Sequence, residues 1–257
     1  MNKCIMAVTA VAALSASSVM ADTLAGLYVG AQGWGTNASG GFADNSTFSS
    51  GSSMADFNFD TQANFSFYAA VEHPLPLIPN VKLSITSLDS EGVTTLQSSF
   101  NFDGDLYSSG SKVRSEAELK STDIILYYEI FDNDLVSLDV GLNGKYIDGT
   151  MYVKDTDSNT ESEQAFSGIV PMVYSRVQVG LPFTGLGVYA EGSYLSFDDH
   201  KMSDYQVAVT YSFIESLAVD MTFQAGYRSV DIDIDDLDGV YTDMTVDGPF
   251  AGLEIHF

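Results

Sequence analysis

A single cysteine, Cys4, excludes a disulfide framework. Ten Lys and Arg against 35 Asp and Glu exclude nucleic acid as a partner, since a phosphate backbone needs a basic surface. Beyond Ala21 no apolar run approaches the roughly 20 residues that a membrane-spanning helix requires. No Ser-His pair offers the nucleophile of a lipase, and neither a metal centre nor a cofactor is expected. Yet 45% of the residues are hydrophobic and the mean hydropathy is +0.07. The apolar residues must therefore fill a soluble all-β core or alternate outward into lipid.

The two ends favour lipid. Lys3, an apolar stretch over 5–16 and the small residues Val19-Met20-Ala21 have the layout of an export signal cut before Asp22. The stretch is too short for a retained spanning anchor, and Cys4 precedes it, so no lipid anchor follows. The expected division is a signal peptide, 1–21, and one barrel, 22–257. Loss of Lys3 leaves nine cations. The ending Gly252-Leu253-Glu254-Ile255-His256-Phe257 resembles the terminal signature by which outer-membrane β-barrels are recognised for insertion. Ala251, Leu253, Ile255 and Phe257 share the lipid-facing register, with Leu253, Ile255 and Phe257 as the insertion signal.

Period-two alternation recurs along the chain. Over 57–71, Phe57, Phe59, Ala63, Phe65, Phe67, Ala69 and Val71 alternate with Asn58, Asp60, Gln62, Asn64, Ser66 and Tyr68. Val81, Leu83 and Ile85 continue the pattern, followed by Ile124, Leu126 and Tyr128, then Val136, Leu138, Val140 and Leu142. Further segments carry Val173, Val177 and Val179; Leu186, Val188 and Ala190; Val207, Val209 and Tyr211; and Val219, Met221 and Phe223. With 24–34 and 249–257 these predict an all-β transmembrane antiparallel up-and-down barrel of ten strands, eight or twelve being the alternatives. Residues 89–120 alternate poorly and could hide an extra hairpin. Ten strands of about 10 embedded residues use roughly 100 residues, so the rest forms loops and strand extensions. Both termini are expected on the periplasmic side, with four short turns there and five long loops outside. A soluble β-sandwich is the competing fold, and it would need these apolar faces to meet in one core.

Inward-phase positions include Glu72, Lys82, Asp123, Glu129, Asp139, Lys145, Arg176, Glu191, Asp220, Arg228 and Glu254. Buried charges persist when paired, so a lumen crossed by ion pairs is expected, closed or very narrow. The acidic run 231–239 begins like a calcium loop, but Asp236 stands where glycine is needed and Thr242 where glutamate is needed. It reads as a solvated acidic loop, or as a weak site for divalent cations at the lipopolysaccharide surface. Asp103-Gly104-Asp105 and Asp198-Asp199-His200 resemble the paired acids and Asp-His of omptin-type surface proteases, a coincidence that 35 acids make common; no enzyme is expected. His73 and His256 are read as structural. Pro171 and Pro249 mark bulges or a lateral gap. Tyr28, Trp34, Tyr128, Tyr146, Tyr194, Tyr205, Phe213 and Phe257 are assigned to interfacial girdles.

The opening Ala21-Asp22-Thr23-Leu24-Ala25-Gly26-Leu27-Tyr28-Val29-Gly30-Ala31, with Trp34 and Gly40-Gly41, resembles a family of largely uncharacterised bacterial outer-membrane β-barrels. It is broadly similar to the small-barrel superfamily of OmpW and the OmpA membrane domain. That resemblance implies residence in the cell outer membrane of a Gram-negative cell, with lipid, lipopolysaccharide and the barrel assembly machinery as partners. Ten strands depart from the eight of those relatives, so their transport roles are not carried over. The expected role is structural or surface-interacting; a narrow channel for small or apolar molecules is the first alternative and an omptin-like protease the second.

Overall fold

The computed structural model describes residues 26–44, 57–75, 77–133, 135–158, 160–197, 200–216, 218–237 and 240–257, without the side chains of 44, 197, 234–237 and 240. The expected signal peptide lies outside the described residues. The strands are β1 (Gly26–Asp44), β2 (Gln62–Glu72), β3 (Asn80–Ser87), β4 (Ser90–Thr95), β5 (Phe100–Phe102), β6 (Asp105–Tyr107), β7 (Lys112–Asp132), β8 (Val136–Asp155), β9 (Glu161–Leu181), β10 (Leu186–Phe197), β11 (His200–Ile214), β12 (Asp220–Leu237) and β13 (Val240–His256). β3 and β4 pair in succession with β7 and occupy one place in the wall. Pairing of β1 with β13 and of β3 with β7 closes an antiparallel ring of ten strands. β5 and β6 form a separate hairpin, so residues 89–120 do hold one, but outside the ring.

Gly26 and Phe257 lie at the near end of the ring, with Leu27 and Phe257 exchanging backbone hydrogen bonds. The four near-end connections are short. At the far end only 45–61 and 96–111 separate successive strands by a long stretch of sequence, while β8 and β9, β10 and β11, and β12 and β13 are separated by 156–160, 198–199 and 238–239 alone. This corrects the expectation of five long loops: the length went into strands. They continue because the hydropathy phase inverts along them. On β8, Val140, Leu142 and Tyr146 face outward while Asp139, Asn143 and Lys145 face in; beyond that point Asp148 is exposed and Ile147, Met151 and Val153 are buried. β7 changes between Ile124 and Lys120, β12 between Tyr227 and Asp231, and β13 between Ala251 and Asp247.

The near half is thus apolar outside and polar inside, and the far half the reverse. Outward side chains such as Leu142 (66% exposed) and Ile169 (71%) form a continuous belt that water would penalise and a bilayer accepts. Their faces do not meet in a shared core, which rules out the sandwich. Tyr128, Tyr146, Tyr194, Tyr205, Phe213 and Phe257 stand on the belt. Trp34 does not: it is 3% exposed within the lumen, donating its indole N–H to Gly248 O. Tyr28 also turns inward and stacks on His256 at 4.2 Å. Phe57 is a second correction. It lies outside β2 and is 2% exposed, stacked on Phe42 at 4.7 Å, because the strict alternation of β2 ends before Gln62 and the chain turns Phe57 in over the far-half core.

The far half encloses a core like that of a soluble barrel. Phe42, Phe57, Leu88, Leu119, Met151, Val153, Phe166, Met202, Val230, Met244 and Val246 pack in it. The β5–β6 hairpin closes it from above. Asp103 (φ 50°) and Gly104 (φ 81°) are the two central residues of its turn, both left-handed as a type I′ hairpin requires. Its aromatic face points in, with Phe102 5.3 Å from Phe42, Phe100 5.9 Å from Phe57, and Tyr107 donating to Val153 O at 3.1 Å.

Neither proline shifts the register. Trp34 faces Phe250 and Asn37 faces Asp247 in one continuous alignment across Pro249. Residues of odd number in β13 bond to β1, as Phe257 does, so the N–H that Pro249 lacks is missing only opposite Gly35. On β9 the even residues bond to β8, since Gly180 N–H donates to Leu135 O and Thr160 O accepts from Asp155. Pro171 therefore spares that ladder and directs its lost donor toward β10, where pairing ends at Val173 opposite Tyr194.

At the tip of β8 the Asp155 carboxylate accepts from Asp157 and Ser158 N–H at 2.8 and 3.1 Å, which holds it below the usual carboxylate range. A depressed carboxylate adds stability that is complete above its ordinary range and is lost as pH falls through the lowered folded value. Amide exchange at Asp157 and Ser158, corrected for intrinsic rate, is expected to accelerate only below about pH 4. Exchange without that inflection would remove the cap from the account.

Candidate functional site: the bridged lumen

Alternation brings the inward polar residues of the near half to one level, where a narrow ring lets side chains from opposite walls touch. Lys82 on β3 binds Glu191 on β10, four places around the ring, and Arg176 reaches the same carboxylate at 3.4 Å. Lys145, buried completely, sits between Asp123 at 2.8 Å and Asp204 at 2.9 Å. Arg228 takes Asp204 with two donors, Nε at 2.9 Å and Nη2 at 2.8 Å, and its Nη1 lies 3.4 Å from Thr86 Oγ1 on the far wall. Two charge chains result, Asp123-Lys145-Asp204-Arg228 and Lys82-Glu191-Arg176. Tyr68, Tyr189 and Trp34 lie 4.8, 4.7 and 5.1 Å from Lys82, Arg176 and Arg228, so each of these cations also faces an aromatic ring.

A neutral relay crosses just beside them. Gln32 donates to Gln224 Oε1 at 3.1 Å, Gln224 donates to Tyr68 at 3.0 Å, and Tyr68 donates to Glu254 at 2.6 Å. Asn143 donates to Asp123 and to Ser193 at 2.7 and 3.1 Å. Between these groups remains a cavity of about 40 Å³, room for roughly two or three waters. Asn143 Oδ1 and Gln206 Oε1, which accept no donor among the described residues, border it.

Of the inward residues singled out in the sequence, the structure brings Lys82, Lys145, Arg176, Glu191 and Arg228 into ion pairs, together with Asp123. The other five are placed differently. Glu72 accepts from Tyr127 at 2.7 Å and Glu254 from Tyr68, so their partners are phenols and not cations. Glu129 is exposed at the near rim. Asp139 is buried beside Glu129 and Arg176 in cross-strand register, its Oδ1 without a donor among the described residues. Asp220 faces His256 at 3.5 Å. Asp204, which joins two cations, was not singled out; its signal was the outward Tyr205 and Val207, which put Asp204 and Gln206 inward by parity. Leu253, Ile255 and Phe257 lie on the outer, lipid-facing side of β13 in the expected register.

Of the protease-like residues, Asp105 accepts from Ser162 at 3.1 Å beside the hairpin turn, and Asp198 and Asp199 lie outside the described residues. So do the side chains of Asp235, Asp236 and Asp238 in the acidic run. Among the described residues no group of three or more His, Cys, Asp or Glu could hold a metal ion.

No family model and no curated protein matches the chain. Among solved structures it is similar to the transport unit of the autotransporter AIDA-I from Escherichia coli, at 8% identity over 96% of this chain and 95% of that one, with a TM-score of 0.43. It is also similar to the outer membrane protease OmpT from Escherichia coli, at 10% identity over 94% and 99%, TM-score 0.43. A third is Ail, the attachment invasion locus protein of Yersinia pestis, at 9% identity over 91% and 99%, TM-score 0.35. These are distant likenesses of chain path.

Proposed function

We propose that the chain is an integral barrel of a bacterial outer membrane, non-enzymatic, with a structural or surface-interacting role and a lumen that does not conduct. The near end and both termini would face the periplasm and the far end the exterior. The observation that carries this reading is the lumen itself, sealed twice in series. The ion-pair layer bridges it within the apolar belt, and the hairpin-capped core fills it beyond the belt. A transport role would need both to move. The export signal and the outward Leu253, Ile255 and Phe257 support delivery by the barrel assembly machinery into outer-membrane lipid. Lipopolysaccharide would surround the acidic far-half strands, with divalent cations between its phosphates and their carboxylates.

Planar-bilayer recording tests the reading. The purified protein is expected to insert without discrete current steps. A stable open state of nanosiemens size would replace it with the channel, and peptide hydrolysis abolished by His200→Ala would replace it with the protease.

A further inference from the structure

Every Lys and Arg of the chain except Lys3 lies among the described residues, so the basic side chains available to the near half can be counted in full. Lys82, Lys145, Arg176 and Arg228 point into the lumen, and each is engaged by Asp123, Asp204 or Glu191. The other five, Lys112, Arg114, Lys120, Lys154 and Lys201, stand on the outer face of the far half. None remains for Glu72, Glu129 and Asp139 at the near mouth, and no described cation lies within 4 Å of them. These three carboxylates are neighbours. Glu129 faces Asp139 across the β7–β8 ladder, and Glu72 lies within hydrogen-bond reach of Glu129. Asp139 is 6% exposed, and its Oδ1 meets no donor among the described residues. Arg176 faces it in register from β9 yet gives its donors to Glu191 at 3.4 Å and Gln178 at 2.7 Å.

We propose that the near mouth is a binding site for a planar organic cation, a guanidinium or amidinium group, held by Glu129, Asp139 and Glu72. Like charges directly opposite on two strands repel, and a buried carboxylate without a partner is costly, so the cluster gains from a cation that the chain does not supply. Its base is fixed. Tyr127 and Tyr174 face Gly141 from either side, the next inward place on β8, and their rings lie 5.8 Å apart. A Cβ at Gly141 would come 2.8 Å from that of Tyr127. With that level filled by two rings, Asp139 cannot turn deeper to find a cation, while the Tyr127 hydroxyl holds Glu72 at 2.7 Å. Glu129 is exposed at the rim and leaves the cluster open to the near-end solution. The donors of a planar fork suit carboxylates on facing strands, whose Cβ atoms stand about 5 Å apart, whereas no group of three acids among the described residues could hold a metal ion. A free small cation and an arginine side chain of a soluble protein present the same chemistry. The site needs only an open near mouth and not a closed lumen, so its test and the bilayer recording can fail separately.

The probe is benzamidine, titrated into the protein in zwitterionic nanodiscs at low salt. Saturable binding is expected, weakening with salt and raising the unfolding midpoint, as a ligand of the folded state does. Benzamide, its uncharged counterpart, should not bind. Asp139→Asn and Glu129→Gln should each weaken benzamidine binding at least tenfold, while Glu163→Gln on the far half leaves it unchanged. Glu129→Gln, at an exposed position, serves alone if the Asp139 variant does not fold. A parallel titration with acetyl-glycyl-arginyl-glycine amide separates the two sources: tighter binding than benzamidine supports an arginine of another protein, and weaker binding supports a free cation. Absence of saturable binding, equal binding of benzamide, or insensitivity to both carboxamide variants would overturn the proposal. So would calcium that displaces benzamidine and binds more tightly, the mark of a metal site.

Discussion

Asp204→Ala should destabilise the barrel by about 3–5 kcal/mol, the range for leaving buried charge without its partner. Asp204 accepts from both Arg228 and Lys145, and its loss strands the guanidinium while leaving Lys145 with Asp123 alone. The exposed pair Lys154–Glu161 is the internal control, because Glu161→Ala removes a contact that water already screens and should leave the unfolding midpoint almost unmoved. Urea unfolding in lipid vesicles, followed through the single tryptophan, reads the effect where it occurs: Trp34 lies 5.1 Å from the Arg228 guanidinium. Adding Arg228→Met to Asp204→Ala should restore part of the loss, since the charge that caused it is gone. Equal costs for Asp204→Ala and Glu161→Ala would mean that the lumen is hydrated like a surface, and the first seal would be lost from the argument.

That test falls on a residue that parity alone places. Apart from bulges at Glu129/Phe131 and Ser212/Ile214, near-half strands alternate, so Val207 outward forces Gln206 and Asp204 inward, and the ring follows from the same rule. Asp123–Lys145, Arg176–Glu191 and Asp204–Arg228 join neighbouring strands, but Lys145–Asp204 and Lys82–Glu191 do not follow from parity, because they depend on the stagger of strands three and four places apart. Lys82 could have met several acids, and only the closed geometry assigns it Glu191. Glu72 and Glu254 met tyrosines on strands two places away.

The far half was legible too, though by a different rule. Ile147, Met151 and Val153 keep the parity of Lys145 while changing its polarity, which is the mark of a strand leaving lipid for water. Parity carried back from β2 puts Phe57 on the lipid side, but the alternation breaks at Asp60 and Thr61, both exposed; Trp34 shares the inward parity of Gln32, and only its place near a strand end suggested the girdle. Asp103-Gly104 between Phe102 and Asp105 is a strong local hairpin signal, masked by its resemblance to a catalytic pair. The short β10–β11 connection had no such signal, since polar residues at 198–200 suit a tight turn and a long loop equally.

The hairpin and the ion-pair layer make a joint prediction that neither makes alone. Leu96 N–H already donates to Ser111 O at 3.0 Å at the base of the excursion, so replacing 97–110 by a two-residue Asn-Gly link should leave the ring intact. The deletion uncovers Phe42 and Phe57 and removes the Tyr107 bonds to Val153 and Ser162. The single substitution Phe102→Ala, at a fully buried side chain, is expected to cost about 3–5 kcal/mol. Conductance should nevertheless stay closed after the deletion, because Lys82, Glu191, Lys145 and Asp204 still span the lumen beneath. It should also stay closed in Asp204→Ala combined with Arg228→Ala, because the far-half core is untouched. Discrete current steps are expected only when the deletion and the double substitution are combined. Steps after the hairpin deletion alone would mean that the ion-pair layer is permeable and that the hairpin is the single gate; no steps in the combined variant would leave Lys82–Glu191 or the apolar core around Met151, Phe166 and Met244 as the barrier.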